Sequence, residues 1–370
     1  MPPARFLVDD RLRGRFGPRV DRLGAYLDRG DPLADAAVAE LERLHPSRAH
    51  AVVGEALAGG DPPDAPDALR ALASAVREPP FWWDPVASDA GAAFFRRSGV
   101  FGGIVLGARS IVLGYVAPGG NKPLMFSGQL VRAASRRLAE TSRFVAALTA
   151  PGGLAPGAPG FEITVRVRLM HARVRRDLRT DPRWDRASWG EPINQHDLAA
   201  TNLLFSTVLV DGLRRFGLRP TDGEVASYLH LWRYVGWLMG VPDALLCTNE
   251  AEGAALGEMI GATQAPPDDD ARTLVRALLD SVAEKGRDRA LSEALLRFQL
   301  GDALADDLGI PRRPQVWGLR GAARLFTPVD RLRSRLAFAD PLLDDLGRRY
   351  WDAAVAAGLQ GVPARFAMRA

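Results

Sequence analysis

One cysteine, Cys247, in 370 residues leaves no partner for an intramolecular disulfide, in keeping with a reducing compartment. Lysine is almost missing as well, with Lys122 and Lys285 the only two. No Gly-x-Gly-x-x-Gly, Walker loop, Cys-x-x-Cys or His-Glu-x-x-His occurs, so nicotinamide, nucleotide and zinc chemistry lack their usual sequence support. Strict period-two alternation is scarce, which argues against sheets. The most apolar stretch, Phe101 to Pro118, is interrupted by Arg109 and is shorter than a comfortable bilayer span, so no membrane span is expected. The first ten residues are neither basic-then-apolar nor twin-arginine in character, which predicts a cytoplasmic protein without a signal peptide. Excess charge is also lacking: 48 basic residues against 44 acidic ones leave +4, too little to argue for a nucleic-acid partner. Pairs such as Arg96-Arg97 and Arg214-Arg215 read as solvated helix faces.

What is present is helical periodicity from end to end. The fold class predicted is all-α, a single large helical domain, with residues 1–78 as an N-terminal helical extension, 79–262 as the core and 263–370 as C-terminal helices packing on it. Residues 14 to 58 read as short helices closed by Gly59-Gly60-Asp61-Pro62-Pro63. Asp67 is read as an N-cap, Thr221 and Glu224 as a capping box, and Asn249 with Glu252 as another helix start. The Gly/Pro-rich loop Ala150 to Gly160 separates two long helices and could serve as a lid.

The second of those helices carries His171. Val167, Met170, His171, Val174 and Leu178 recur at helical spacing, so the imidazole falls within an apolar stripe and off the arginine face. Two readings stand: an iron ligand, or a core histidine bonded to a backbone carbonyl. On the first helix, Gly128 to Leu148, the expected stripe is Val131, Ala134, Leu138, Thr141, Val145 and Leu148, with Arg137 one turn before Thr141. An arginine and a hydroxyl beside an apolar stripe are unfavourable unless something polar meets them inside, such as a cofactor or O2.

The combination of Arg136-Arg137-Leu138-Ala139-Glu140-Thr141, Met170-His171-Ala172-Arg173-Val174-Arg175 and Glu191-Pro192-Ile193-Asn194-Gln195 resembles the latex clearing proteins, or rubber oxygenases, and the related oxygenase domain of mycophenolic acid biosynthesis. The resemblance covers roughly residues 80 to 260. It implies a helical protein, globin-like in layout, around a b-type haem, with His171 as the proximal metal ligand and Arg175 as the arginine of the His-x-x-x-Arg motif. It also implies a distal side formed by Arg137 and Thr141. In rubber oxygenases the residue before the distal threonine is a lysine able to cap the iron; Glu140 stands there in this chain. Lysine capping is therefore excluded, and Glu140 either supplies a proton or faces solvent. Arg168 and Arg175, at i−3 and i+4 from His171, are within reach of haem propionates.

These readings together predict a haem-dependent oxygenase using O2 on a small, apolar, unsaturated substrate, with oxidative cleavage of a carbon–carbon double bond by resemblance. A hydroxylase or epoxidase in a biosynthetic pathway, a haem-binding sensor or carrier, and a cofactor-free helical scaffold are the alternatives. An electron-donor partner stays open, as does the oligomeric state. Among the other histidines, His230 is the rival axial ligand, His196 a helix cap, and His45 and His50 exposed turn residues. Cys247 is read as a buried thiol in preference to a thiolate ligand. Gly103 and Gly107, four apart, allow close approach of a helix or a flat macrocycle.

Overall fold

The computed structural model describes residues 2–126, 129–283, 286–333 and 339–359, without the side chains of 129–135, 137, 358 and 359. The chain is all-α, and among the described residues the only β pairing is one isolated bridge, Phe6 with Gln264. The helices that matter below are α1 (Pro32–Leu41), α2 (Pro85–Val105), α3 (Gln129–Leu148), α4 (Pro159–Thr180), α5 (Gln195–Phe205), α6 (Asp222–Leu238), α7 (Gln315–Arg333) and α8 (Ala339–Leu359).

Capping residues begin these elements where local chemistry dictates. Asp31 accepts the Ala34 amide at 3.2 Å and Pro32 opens α1, while Thr221 and Glu224 form the expected reciprocal capping box of α6. Asn249 caps its helix as predicted by accepting the Glu252 amide. Asp67 falls one position further on than expected, as the first helical residue after Pro66.

Three apolar clusters hold the molecule. The largest draws on residues from Ala34 on α1 to Trp351 on α8, with Phe95, Phe161, Tyr228 and Tyr234 at its centre. A second gathers Phe6, Val20, Leu27, Leu198 and Ile260, and a third gathers Val112, Leu274, Leu279 and Ile310. Gly103 belongs to the helix-packing reading: a Cβ there would stand 2.4 Å from the Tyr350 hydroxyl of α8, whereas Gly107 has open space.

The apolar stretch around Phe101 is longer than its hydropathy indicated. α2 continues through a π-helical turn, Leu106–Ser110, into Ile111–Tyr115, so 31 residues run helically, long and apolar enough by length and composition alone to cross a membrane. Phe95, Val105 and Val112 on this run are fully buried in the first and third clusters. Gly99, at φ 49° and ψ −126°, kinks it, a conformation that only glycine adopts without strain.

The Ala150–Gly160 loop is a chain of hydrogen-bonded turns. The Gly153 amide donates to the Ala150 carbonyl at 2.9 Å and the Phe161 amide to the Gly153 carbonyl at 2.9 Å. A Cβ at Gly160 would lie 2.6 Å from the Leu148 Cα, so the loop folds tightly onto the end of α3. It contributes no residue to the cavity described next.

Candidate active site

Two faces of α4 have different tasks. The deeply buried face carries Phe161, Val165, Arg168, Leu169, Ala172, Arg175 and Leu178; Val167, Met170, His171 and Val174 sit beside it, half-buried. Of the stripe expected from periodicity, only Leu178 belongs to the deep face. The other four residues line a cavity of about 390 Å³. From α3, Leu138, Glu140, Thr141 and Phe144 complete the opposite wall. The structure therefore brings His171 and Thr141, thirty residues apart in the chain, to one partly open cavity.

Arg168 and Arg175 do not reach it. Arg168 donates from Nε to Oδ2 of Asp31 at 2.6 Å, from Nη2 to Oδ1 at 3.0 Å, and from Nη1 to the Leu238 carbonyl at 3.2 Å. Arg175 is 1% exposed at its side chain and donates to Asp35 Oδ1 at 2.9 Å. Burial pulls its guanidinium below its ordinary pKa, and Asp35 and then Asp31 act to pull it back up. Arg179 bridges Asp35 to the buried Glu191. The assignment of Arg168 and Arg175 to propionates is thus corrected: both are held by carboxylates on or beside α1. Helical spacing put them near His171 but could not say that α1 would occupy that side. Two glycines make room for them, since a Cβ at Gly240 would lie 2.7 Å from the Arg168 guanidinium and one at Gly30 would lie 3.0 Å from Arg175.

Glu140 lines the cavity edge and accepts from Arg136 Nε at 3.1 Å, one turn back on α3. Its side chain is therefore ion-paired and only partly exposed. Arg137 lies in α3 one turn before Thr141, but its side chain is outside the described residues. Among the described residues that line the cavity, none is lysine or arginine.

Several functional features escaped sequence reasoning. Asp197, on α5, lines the cavity as a carboxylate held by Arg5 Nη2 at 2.6 Å and the Asn194 amide nitrogen at 2.9 Å, with His196 Nδ1 at 3.2 Å. Burial opposes its ionisation, yet the charges and hydrogen bonds of Arg5 and His196 outweigh that and hold the acid well below the usual carboxylate range. Ile193, also on the wall, has φ +47°, which is rare for a β-branched residue. The neighbouring Asn194 enforces it. Its side chain caps α5 by accepting the Asp197 amide and donates to the Glu191 carbonyl at 2.8 Å. The π-turn re-aims the end of the α2 run so that Ser110, Ile111, Gly114 and Tyr115 face the cavity. The one available signal was the Glu191–Gln195 segment itself; nothing in composition marks a π-turn.

The remaining histidines and the cysteine take other roles. His230 Nε2 accepts the Asp84 amide at 2.9 Å against the edge of Trp82, and burial lowers its pKa, consistent with a neutral acceptor outside the cavity. Asn194, rather than His196, caps α5. His45 precedes Pro46 as an N-cap without a capping side-chain bond, and His50 lies beside Arg166. Burial first, and then Glu252, push the Cys247 thiol up to about 11, so it is no thiolate at neutral pH.

A partly open, mainly apolar cavity between two long helices thus carries an imidazole on its wall. Residues 95–357 match the family profile described as ER-bound oxygenase mpaB/B′/Rubber oxygenase, catalytic domain, and the chain belongs to that family of oxygenases. It is 29% identical over 301 residues to a rubber oxygenase of Streptomyces sp. (strain K30), an alignment spanning 79% of this chain and 70% of the relative. Its fold is similar to that of latex clearing protein LCP in the closed state, with a TM-score of 0.69 and 23% identity over 88% of this chain and 90% of that one.

Proposed function

We propose that this oxygenase is haem-dependent and uses O2 to cleave, hydroxylate or epoxidise a small apolar, unsaturated molecule, oxidative cleavage being favoured by the resemblance to rubber oxygenases. The observation that carries the proposal is the placement of His171 and Thr141 on opposite helices around one apolar chamber. Among the described residues no group of three His, Cys, Asp or Glu side chains could hold a bare metal ion. A metal at this site would therefore need most of its ligands from elsewhere, which is what a porphyrin provides. His171 fits the role of its single protein ligand, and bound haem would supply the iron that activates O2. The chamber volume lies within the usual range for small-molecule sites.

The chain's own groups would then divide the work. Ile111, Leu138, Phe144, Val167 and Leu204 would exclude water and receive the apolar substrate. Thr141 would offer its hydroxyl to an oxygen atom of O2, and the resemblance to rubber oxygenases gives Arg137 the role of stabilising developing negative charge there. Glu140, paired with Arg136, would place a carboxylate at the cavity edge.

Absorption spectra of the purified protein, with and without dithionite and CO, test the cofactor. His171→Ala is expected to lose haem while His230→Ala retains it. Thr141→Ala should keep haem and slow O2-dependent turnover by about a hundredfold, the scale for losing one preorganised donor. Iron-free protein after expression with ample haem would overturn the proposal, and an intact haem spectrum in His171→Ala would move the ligand elsewhere.

A further inference from the structure

One face of α5 lines the cavity along most of the helix. Asp197, Leu198, Thr201, Leu204 and Phe205 recur there at helical spacing, and from Asp197 to Phe205 the face runs roughly 12 Å. Its character changes along the way. The start is polar, with Asp197 and, one turn on, Thr201; the end is apolar, with Leu204 and with Phe205 stacked on the buried Trp232 at 5.0 Å. Thr201 is exposed, so the polar end lies toward the open side of the cavity.

The polar end offers acceptors. A carboxylate has about four acceptor positions, and at Asp197 three are engaged by Arg5 Nη2, the Asn194 amide nitrogen and His196 Nδ1. The side chain keeps 19% exposure and lines the cavity, which leaves one position for a ligand. The same neighbours keep the acid ionised at neutral pH, so it accepts and does not donate. Thr201 Oγ1 donates to the Asp197 carbonyl at 2.8 Å and Ser110 Oγ to the Leu204 carbonyl at 2.6 Å, so each of these wall hydroxyls has its proton engaged and offers a ligand only lone pairs. Ile193, whose strained backbone is held by Asn194, stands on the same wall, and strain of this kind gathers at ligand sites.

We propose that the cavity takes an apolar molecule with a hydroxyl head, whose O–H donates to the Asp197 carboxylate while its hydrocarbon body lies along Leu204 and Phe205. Arg5 already neutralises the aspartate, so an uncharged donor fits better than an ammonium group. A carboxylate head would set acceptor against acceptor. Asp197 is then a specificity-determining residue that orients the ligand head outward and body inward. The inference rests on reading the cavity as the substrate site, and it does not depend on whether haem is bound.

Calorimetric titration of the full-length protein as purified tests it with octanol, methyl octyl ether and octanoate, which share a hydrocarbon body and differ in the head. Octanol should bind roughly tenfold more tightly than the ether, which lacks only the donor, and more tightly than octanoate. Asp197→Asn should reduce the preference for octanol over the ether severalfold, whereas Leu204→Ala should weaken all three ligands and leave that preference intact. Octanol and ether binding within about twofold of each other in the wild type, octanoate binding the tightest, or a folded Asp197→Asn that keeps the full preference would overturn the proposal. The wild-type comparison decides it even where Asp197→Asn is too unstable to titrate. Absence of binding by all three ligands would overturn the reading of the cavity as a substrate site, and the proposal with it.

Discussion

Asp197 places a negative charge at the edge of a chamber that otherwise holds few charged groups, and that charge is kept by neighbours supplied from a distant part of the chain. Arg5, almost buried, is its counterion. Because the folded-state pKa lies below the unfolded value of about 3.9, the ionised aspartate stabilises the fold fully above that pH. The stabilisation is lost as pH falls through the unfolded value towards the depressed folded one. Asp197→Asn should therefore destabilise the protein at pH 7 by roughly 3 kcal/mol, as Arg5 is left buried without its partner. The wild-type advantage should shrink in urea titrations at pH 3; a difference equally large at both pH values would count against the ion pair. The sequence carried no mark of this residue, since an aspartate near a helix start looks the same whether it faces solvent or a cavity. His171 was legible because helical spacing aligned it with Val167, Met170 and Val174, all of which line the chamber. Arg168 and Arg175 were misread for the converse reason: their carboxylate partners are about 140 residues away, Arg168–Asp31 by 137 and Arg175–Asp35 by 140.

At the scale of elements, boundaries followed from capping chemistry, but what happens between capped helices did not. Asn194 and Asn249 have the same local role, each accepting an amide three residues on. Asn249 is exposed and its amide nitrogen reaches only Thr248. Asn194 is fully buried and also fastens Asp197 and the Glu191 carbonyl around strained Ile193. Asn249→Ala should lower stability by about 1 kcal/mol, the worth of an ordinary cap, whereas Asn194→Ala should cost roughly 2 to 3 kcal/mol as buried polar partners go unsatisfied. Chemical denaturation of both variants distinguishes the roles, and equal losses would reduce Asn194 to a cap. The π-turn at Leu106–Ser110 is the other feature that local sequence hid, because its residues have ordinary helix propensities and only tertiary packing selects the wider turn.

Across the whole molecule, the helix that carries His171 is positioned by the first part of the chain, which lies outside the family match over residues 95–357. Asp31 and Asp35 neutralise Arg168 and Arg175, while Val38, Leu41, Leu69 and Leu72 contribute to the same apolar cluster as Phe161 and Leu169 on α4. A protein truncated to residues 79–370 would keep every cavity-lining residue yet strand two buried guanidinium groups. Each unpaired buried charge costs roughly 3 to 5 kcal/mol, and a whole domain has only roughly 5 to 15 kcal/mol in hand. The truncated chain should therefore fail to give a cooperative thermal transition, and restoring it should require the N-terminal residues. Substituting Asp31→Ala and Asp35→Ala together in the full-length chain separates lost charge from lost apolar cover: a large fall in melting temperature assigns the effect to the ion pairs. If 79–370 instead melts cooperatively within a few degrees of the full chain, the first 78 residues are an accessory to a self-sufficient catalytic unit, and the carboxylates of α1 do not determine where His171 stands.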